Sequence, residues 1–239
     1  MIGREAGSGV TTGGSNVLVG PRAGYNVTIG AENVMIGHNA GYSYAGTTSG
    51  VYGAFSTFVG HAAGYGVTGN HSYGSVLAIG HQPLYNATSA NKTIAIGNSA
   101  GVSGTSALDN VYVGYGAGSY ADSTGSTYIG QKAGFRPNGN YNVAVGFQAL
   151  SGSSAGSTAA QNVAIGHNAA SNVTTANKTV AIGERALHGI TTAVKTIGIG
   201  YYAGYAQTTD ADGAIYIGHA AGYSDVGTTR NIFIGNDCG

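Results

Sequence analysis

The sequence predicts an all-β chain, a parallel β-solenoid (β-roll) of about 14 coils, and three observations carry that prediction. A short phrase returns fourteen times between Ile2 and Gly239: a β-branched residue, a glycine, two variable residues, a small residue and usually another glycine, as in Ile36-Gly37-His38-Asn39-Ala40-Gly41. Its anchor glycines are Gly3, Gly20, Gly37, Gly60, Gly80, Gly97, Gly114, Gly130, Gly146, Gly166, Gly183, Gly200, Gly218 and Gly235, spaced by 16 to 23 residues with seven of thirteen intervals equal to 17. No helical repeat class has that period. Ahead of the anchors apolar residues alternate, as in Val143-x-Val145 and Ile232-x-Ile234, the pattern of a strand with one buried face.

Each period divides into strand, corner and return. The alternation places the Ile or Val before the anchor inward, so Ile36, Ile96, Val145, Ile165, Ile182, Ile217 and Ile234 are the expected structural core. Three residues after the anchor stands Ala in twelve phrases, replaced only by Pro83 and Cys238, which marks an inward corner with no space for a longer side chain. The following Gly, present in ten phrases, suits a turn of positive φ. The returns are rich in Ser, Thr, Asn and Gly, as in 151–158, and read as turns or short outer strands. The long interval from Gly37 to Gly60 bulges outward between Gly41 and Thr57, because strand and corner cannot stretch.

Stacked in register, coils rising by roughly 4.8 Å each make a rod of about 65 Å. One coil buries too little to hold itself, so the stack must gain from backbone ladders and from packing an apolar stripe against other chains; an obligate oligomer is expected. Intervals of 20, 17 and 17 residues run from Gly60 to Gly114 and again from Gly146 to Gly200, and 86–97 closely matches 172–183, so a block of five coils reads as a duplication. The whole of 1–239 is one repeat domain that starts and stops inside the repeat, and it is read as a segment of a longer fibre without a cap or anchor domain.

Composition sets further limits. The chain has 44 Gly, no Trp, five Phe and only 8% charged residues, so a conventional globular core is not expected. Nine basic against nine acidic residues leave no electrostatic footprint for nucleic acid or an anionic membrane. The start lacks a signal-peptide pattern, and no apolar run approaches transmembrane length. Cys238 takes the place of a corner Ala and reads as a small buried residue, with an interchain disulfide as the second reading.

The phrases 142–150 (NVAVGFQAL), 162–170 (NVAIGHNAA) and 93–101 (TIAIGNSAG) resemble the repeats of bacteriophage tail-fibre proteins and the head repeats of YadA-like trimeric autotransporter adhesins, over essentially the whole chain. The resemblance implies a homotrimeric, left-handed β-roll whose Ile and Val stripe packs around the threefold axis, with surface adhesion as the usual role. The coils here are longer than those of adhesin heads, and no heptad stalk, anchor barrel or self-cleaving chaperone is visible, which favours a fibre shaft.

Candidate chemistry is sparse. Five His directly follow an anchor (His38, His61, His81, His167, His219), and His38, His61 and His81 on successive coils are weak candidates for a metal. The same slot elsewhere holds Arg, Pro, Asn, Gln, Glu, Tyr and Phe, the mixture of a solvent-facing turn, so no resident metal is assigned. Asp210 and Asp212 read as solvated, and Gly114–Gly118 lacks the Lys and the strand-to-helix context of a phosphate loop. Tyrosine is the better candidate: Tyr25, Tyr42, Tyr65, Tyr205 and Tyr223 all follow an Ala-Gly corner and would form two ladders, either for surface recognition of sugars or to cover the corner or fill the trimer seam. Sequons at Asn26, Asn70, Asn86, Asn91, Asn172 and Asn177 reflect abundant Asn and Thr in the returns.

The resulting expectation is a fibre segment with no enzymatic activity and no cofactor: a homotrimer flanked at both ends by fibre or virion subunits, in a tail fibre or on a cell surface. Its loops would meet a host surface glycan or outer-membrane protein. The alternative is a bacterial trimeric adhesin or an extracellular filament subunit. A polysaccharide-degrading tailspike ranks lower, because it needs clustered carboxylates and the nine acidic residues are scattered.

Overall fold

A computed structural model describes residues 1–44, 55–67, 75–87, 89–104, 106–152, 157–206, 212–225 and 229–239. They form two compact units, Met1–Ser119 and Tyr120–Gly239. The chain is an all-β parallel β-solenoid, and the described residues contain no helix. In the first unit the ladder is built from Val17–Val19, Val34–Ile36, Thr57–Val59, Leu77–Ile79, Ile94–Ile96 and Val111–Val113. In the second it is built from Thr127–Ile129, Val143–Val145, Val163–Ile165, Val180–Ile182, Ile197–Ile199, Ile215–Ile217 and Ile232–Ile234. Of the fourteen phrases, thirteen thus carry a three-residue strand, and the first contributes a single bridge, Ile2 to Val19.

Register follows the anchors, not the intervals. Val34 pairs with Thr57 and Ile36 with Val59 although 23 residues separate Gly37 from Gly60, so the extra length is taken up off the ladder. Part of that return, 45–54, lies outside the described residues. A second, shorter ladder joins Ser89–Asn91 to Ser106–Leu108 on the return side.

Counting the anchor glycine as slot 0, the structure explains most fixed slots. Each anchor sits at φ between 126° and 140°, a conformation closed to side chains. A Cβ on Gly20 would lie 2.7 Å from the carbonyl oxygen of Gly37 on the next coil. Slot +3 is inward as expected: Ala23, Ala40, Ala100, Ala133 and Ala203 are fully buried. Slot +4 is left-handed throughout, not only at Gly24 (60°) and Gly101 (61°) but also at Leu84 (52°), Leu150 (51°) and Leu187 (49°).

Two further slots are left-handed without a glycine signal. Slot +2 holds Arg22, Asn39, Ala62, Gln82 and Arg185 at φ of 51° to 57°, and slot −5 holds Glu32, Phe55, Lys178 and Lys195 at 58° to 60°. Such residues cost about 1 kcal/mol each. Their peptide groups pair along the stack, with Asn39 N donating to Pro21 O at 3.0 Å and Lys195 N to Asn177 O at 3.0 Å, and those bonds offset the strain.

The strand faces the opposite way from the expectation. The middle residue, slot −2, points inward: Leu18, Met35, Phe58, Tyr112, Tyr128, Ala144, Ala164 and Tyr216 are buried. The seven residues expected as core lie outside the coil; Ile96, Val145, Ile182 and Ile217 are half-buried, and Ile36, Ile165 and Ile234 are exposed. The reason is volume. Inside the coil, slot −2 shares its space with slot +4 of its own and the neighbouring coil, and bulk is traded between them: Phe58 packs over Gly64, whose Cβ would stand 2.6 Å from the ring, whereas Leu187 fills the space beside Gly198 and Gly204, where added Cβ atoms would each stand 2.6 Å from its side chain. That narrow space takes one residue from each strand, the middle one, in place of the two flanking β-branched residues.

Slot −4 adds a polar column inside. Asn142 Oδ1 accepts from Asn162 N at 2.9 Å, Asn162 Oδ1 accepts from Thr179 N at 2.9 Å, and Asn162 Nδ2 donates to Ala176 O at 2.8 Å. In the first unit the same slot links Asn16, Asn33, Ser56 and Val76 through Asn33 N to Asn16 Oδ1, Ser56 N to Asn33 Oδ1 and Val76 N to Ser56 Oγ. These side chains carry the ladder across the corner before each strand.

Candidate functional surface

Two outer regions hold the features from which function can be argued: the outward face of the strands and the edges beyond slot 0. On the outward face, slots −3 and −1 are Val, Ile or Leu in every ladder strand except for Thr57 and Thr127, and none is charged. Within the single chain these columns are only half covered: Val17 is 49% exposed, Ile129 40% and Ile165 39%. An apolar band of this kind calls for a cover.

On the edges, ladders of aromatic rings follow the coils. Tyr25, Tyr42, Tyr65 and Tyr85 stack with ring centroids 5.0, 4.8 and 4.8 Å apart and planes within 13° of parallel. Tyr85 was not anticipated, because Pro83-Leu84 replaces the Ala-Gly corner before it; counting five residues from Gly80 would have found it. Arg22 lies over Tyr25 at 5.8 Å and bonds Glu5 at 2.6 Å, so that end of the stack is covered by a cation. The same hydrogen bond holds the Glu5 carboxyl below its ordinary range and raises the Arg22 guanidinium. The rings use their faces on one another, so this ladder presents ring edges and phenol oxygens outward. That geometry weakens the expectation that Tyr25, Tyr42 and Tyr65 stack flat against sugars.

In the second unit, His188, Tyr205 and Tyr223 continue the same slot, with centroids 5.1 Å apart at each step. Tyr202 crosses from that column to the neighbouring one, tilted at 4.3 Å from Tyr201 and 4.8 Å from Tyr205, and Arg185 both bonds its hydroxyl and lies over its ring. Burial, with the charge of Arg185 beside it, pushes the His188 imidazole below its usual value. Burial and the Tyr202 hydroxyl push the Tyr201 phenol up.

Slot +1 carries the histidines. His38, His61 and His81 stack at 5.2 and 5.0 Å, all exposed, while in the second unit Phe147 stacks on His167 and Tyr201 on His219. His167 lies 3.8 Å from Glu184 and His219 3.2 Å from Asp237. Among the described residues no set of three or more His, Cys, Asp or Glu is placed to hold a metal ion. No helix among them is long and apolar enough to cross a membrane.

The remaining candidates have local roles. Asp212 Oδ1 accepts from Val194 N at 2.6 Å, and Asp210 lies outside the described residues, as does the Asn70 sequon. Asn177 accepts from Ala160 N and donates to Thr175 O, and Asn172 donates to His188 O, so two of the sequon asparagines are engaged in the stack. Cys238 is free and half-exposed rather than buried. Its thiol lies 3.5 Å from Gly235 O.

No family model, curated protein or solved structure matches this chain.

Proposed function

We propose that this protein is a structural fibre segment: a homotrimeric β-solenoid of a phage tail fibre or spike that carries host-surface adhesion. The observation that supports this reading most is the outward Ile and Val band, which is continuous along each unit, free of charge and half exposed in the single chain. The coil closes around its own slot −2 column, so the band is surplus to the coil and suits packing between copies. The repeated edge columns fit the adhesive part of the role, since a trimer would present every weak contact three times and gain by avidity.

Immunogold labelling of particles or cells that carry the chain tests the assignment. Label along tail fibres is expected, and label confined to the cell interior with none on particles or surfaces would overturn it. Label on the surface of uninfected bacteria would instead select the adhesin or filament reading, which rests on the same band.

A further inference from the structure

Slot −5, the left-handed residue at the corner ahead of each strand, lies outside the coil and stacks into a column of its own. In the first unit the charges of two neighbouring coils in that column are opposite, and Lys92 lies 3.9 Å from Asp109. In the second unit the column runs from Tyr141 through Gln161, Lys178, Lys195 and Gly213 to Arg230, so its charges are all positive. Lys178, Lys195 and Arg230 are exposed, and none of the ion pairs among the described residues involves them. Like charges on neighbouring coils cost free energy, and here no carboxylate among those residues comes within ion-pair distance to offset it.

Between Lys195 and Arg230 the column is interrupted by Gly213. Its φ is 74°, but Lys195 and Arg230 take 60° and 61° in the same slot, so the backbone there does not demand glycine. What the glycine provides is space: among the described residues a Cβ on it would meet only the Arg230 stem, at 3.7 Å. The opening is a cavity of about 220 Å³ lined by Val194, Lys195, Asp212, Gly213 and Arg230. Lys195 and Arg230 stand two coil rises apart, roughly 10 Å between their backbones. Asp212 is fixed in the wall, because its Oδ1 accepts from Val194 N at 2.6 Å and its peptide oxygen from Arg230 N at 3.1 Å. This lining selects a ligand. Two cations ask for an anionic group, while the Asp212 carboxylate repels a bare phosphate and accepts hydrogen bonds from hydroxyls. Val194 adds an apolar wall for C–H groups, and the cavity is smaller than a drug-sized site of about 300 Å³ or more, which suits a single ring.

We propose that this corner binds one acidic sugar residue of a surface glycan, a uronic or sialic acid, with its carboxylate between Lys195 and Arg230 and a hydroxyl donating to Asp212. This rests on the adhesive role proposed above and adds the ligand class and its place on the coil, away from the aromatic columns. Saturation-transfer NMR on the full chain tests it, with glucuronate and N-acetylneuraminate as probes, glucose as the neutral control and inorganic phosphate as competitor. At least one acid should bind, with glucose at least about fivefold weaker and equimolar phosphate failing to displace the acid. Lys195→Gln and Arg230→Gln should each weaken binding about fivefold, and Gly213→Leu, which keeps both charges and fills the opening, should abolish it. Should Gly213→Leu fail to fold by circular dichroism, Gly213→Asn replaces it, since Asn tolerates the left-handed backbone. Lys92→Gln, in the same slot of the first unit, should leave binding unchanged. Binding of neither acid, or binding retained when Lys195 and Arg230 are both Gln, overturns the site and leaves the fibre assignment to the labelling experiment. Equal binding of glucose, or displacement by equimolar phosphate, overturns the acidic sugar as its ligand.

Discussion

The inside and the outside of the same three-residue strand obey different rules. Inside, at slot −2, residue size varies from Gly198 and Ala164 to Tyr112 and Tyr216, and large side chains there meet glycines at slot +4, as Tyr112 meets Gly118 and Tyr216 meets Gly222, while Gly198 is met by Leu187. Outside, at slots −3 and −1, residues hardly vary: Val, Ile and Leu recur with no local partner that fixes their size. A column that varies while keeping its volume is packing against itself. A near-uniform, half-covered column points to a demand from elsewhere, and the contrast separates what folds the coil from what the proposed assembly would use.

Substitutions on the two sides should therefore fail differently. The largest effect is expected inside: Leu187→Ala, which empties space shared with Gly198 and Gly204, should lower stability by about 2–5 kcal/mol in chemical denaturation. A loss below about 1 kcal/mol would break the volume argument. Asn162→Ala should cost about 1–3 kcal/mol, since Thr179 N and Ala176 O lose their buried partner. Outside, Ile165→Ser should cost the isolated coil stack about 1 kcal/mol, in line with its partial burial, yet weaken association between copies. An Ile165→Ser chain that unfolds like Leu187→Ala would erase the distinction.

The interior also predicts a response to pH. Burial raises the phenols of Tyr44 and Tyr128 above their ordinary value, against hydrogen bonds from Ser56 in one case and from Ser126, Ser123 and Asn142 in the other. The folded state holds these protons more tightly than the unfolded chain. Their contribution is fully present below the unfolded value near 10 and is lost as pH rises through the folded value. Stability should fall above about pH 10, and replacing Tyr44 and Tyr128 by Phe should flatten that fall.

Much of this was legible in the sequence for a physical reason: backbone demands leave residue-specific traces. The anchor at Gly20 and the buried corner at Ala23 were readable because the first demands Gly and the second a small residue. The left-handed slots at Ala62 and Phe55 were not, because those residues carry no mark of positive φ. Alternation showed that the flanking and middle residues of a strand point opposite ways but not which way is in, and hydrophobicity favoured the wrong choice. The inside of this coil takes the single middle column, Met35 or Ala164, and the two flanking columns that include Ile36 and Ile165 point out. The column of Asn142 and Asn162 escaped notice for a related reason: buried amides do not register in an apolar period. The Tyr ladder was found except for Tyr85, while the mutual stacking that hides its ring faces needed coordinates.

The central claim is that the outward Ile and Val band exists to be covered by copies of this chain. Sedimentation equilibrium over a wide concentration range tests it most directly, read together with circular dichroism on the same samples. The account predicts a folded species of three times the 23.6 kDa chain mass that persists on dilution. A folded monomer at every concentration, with its β-structure intact, would contradict it.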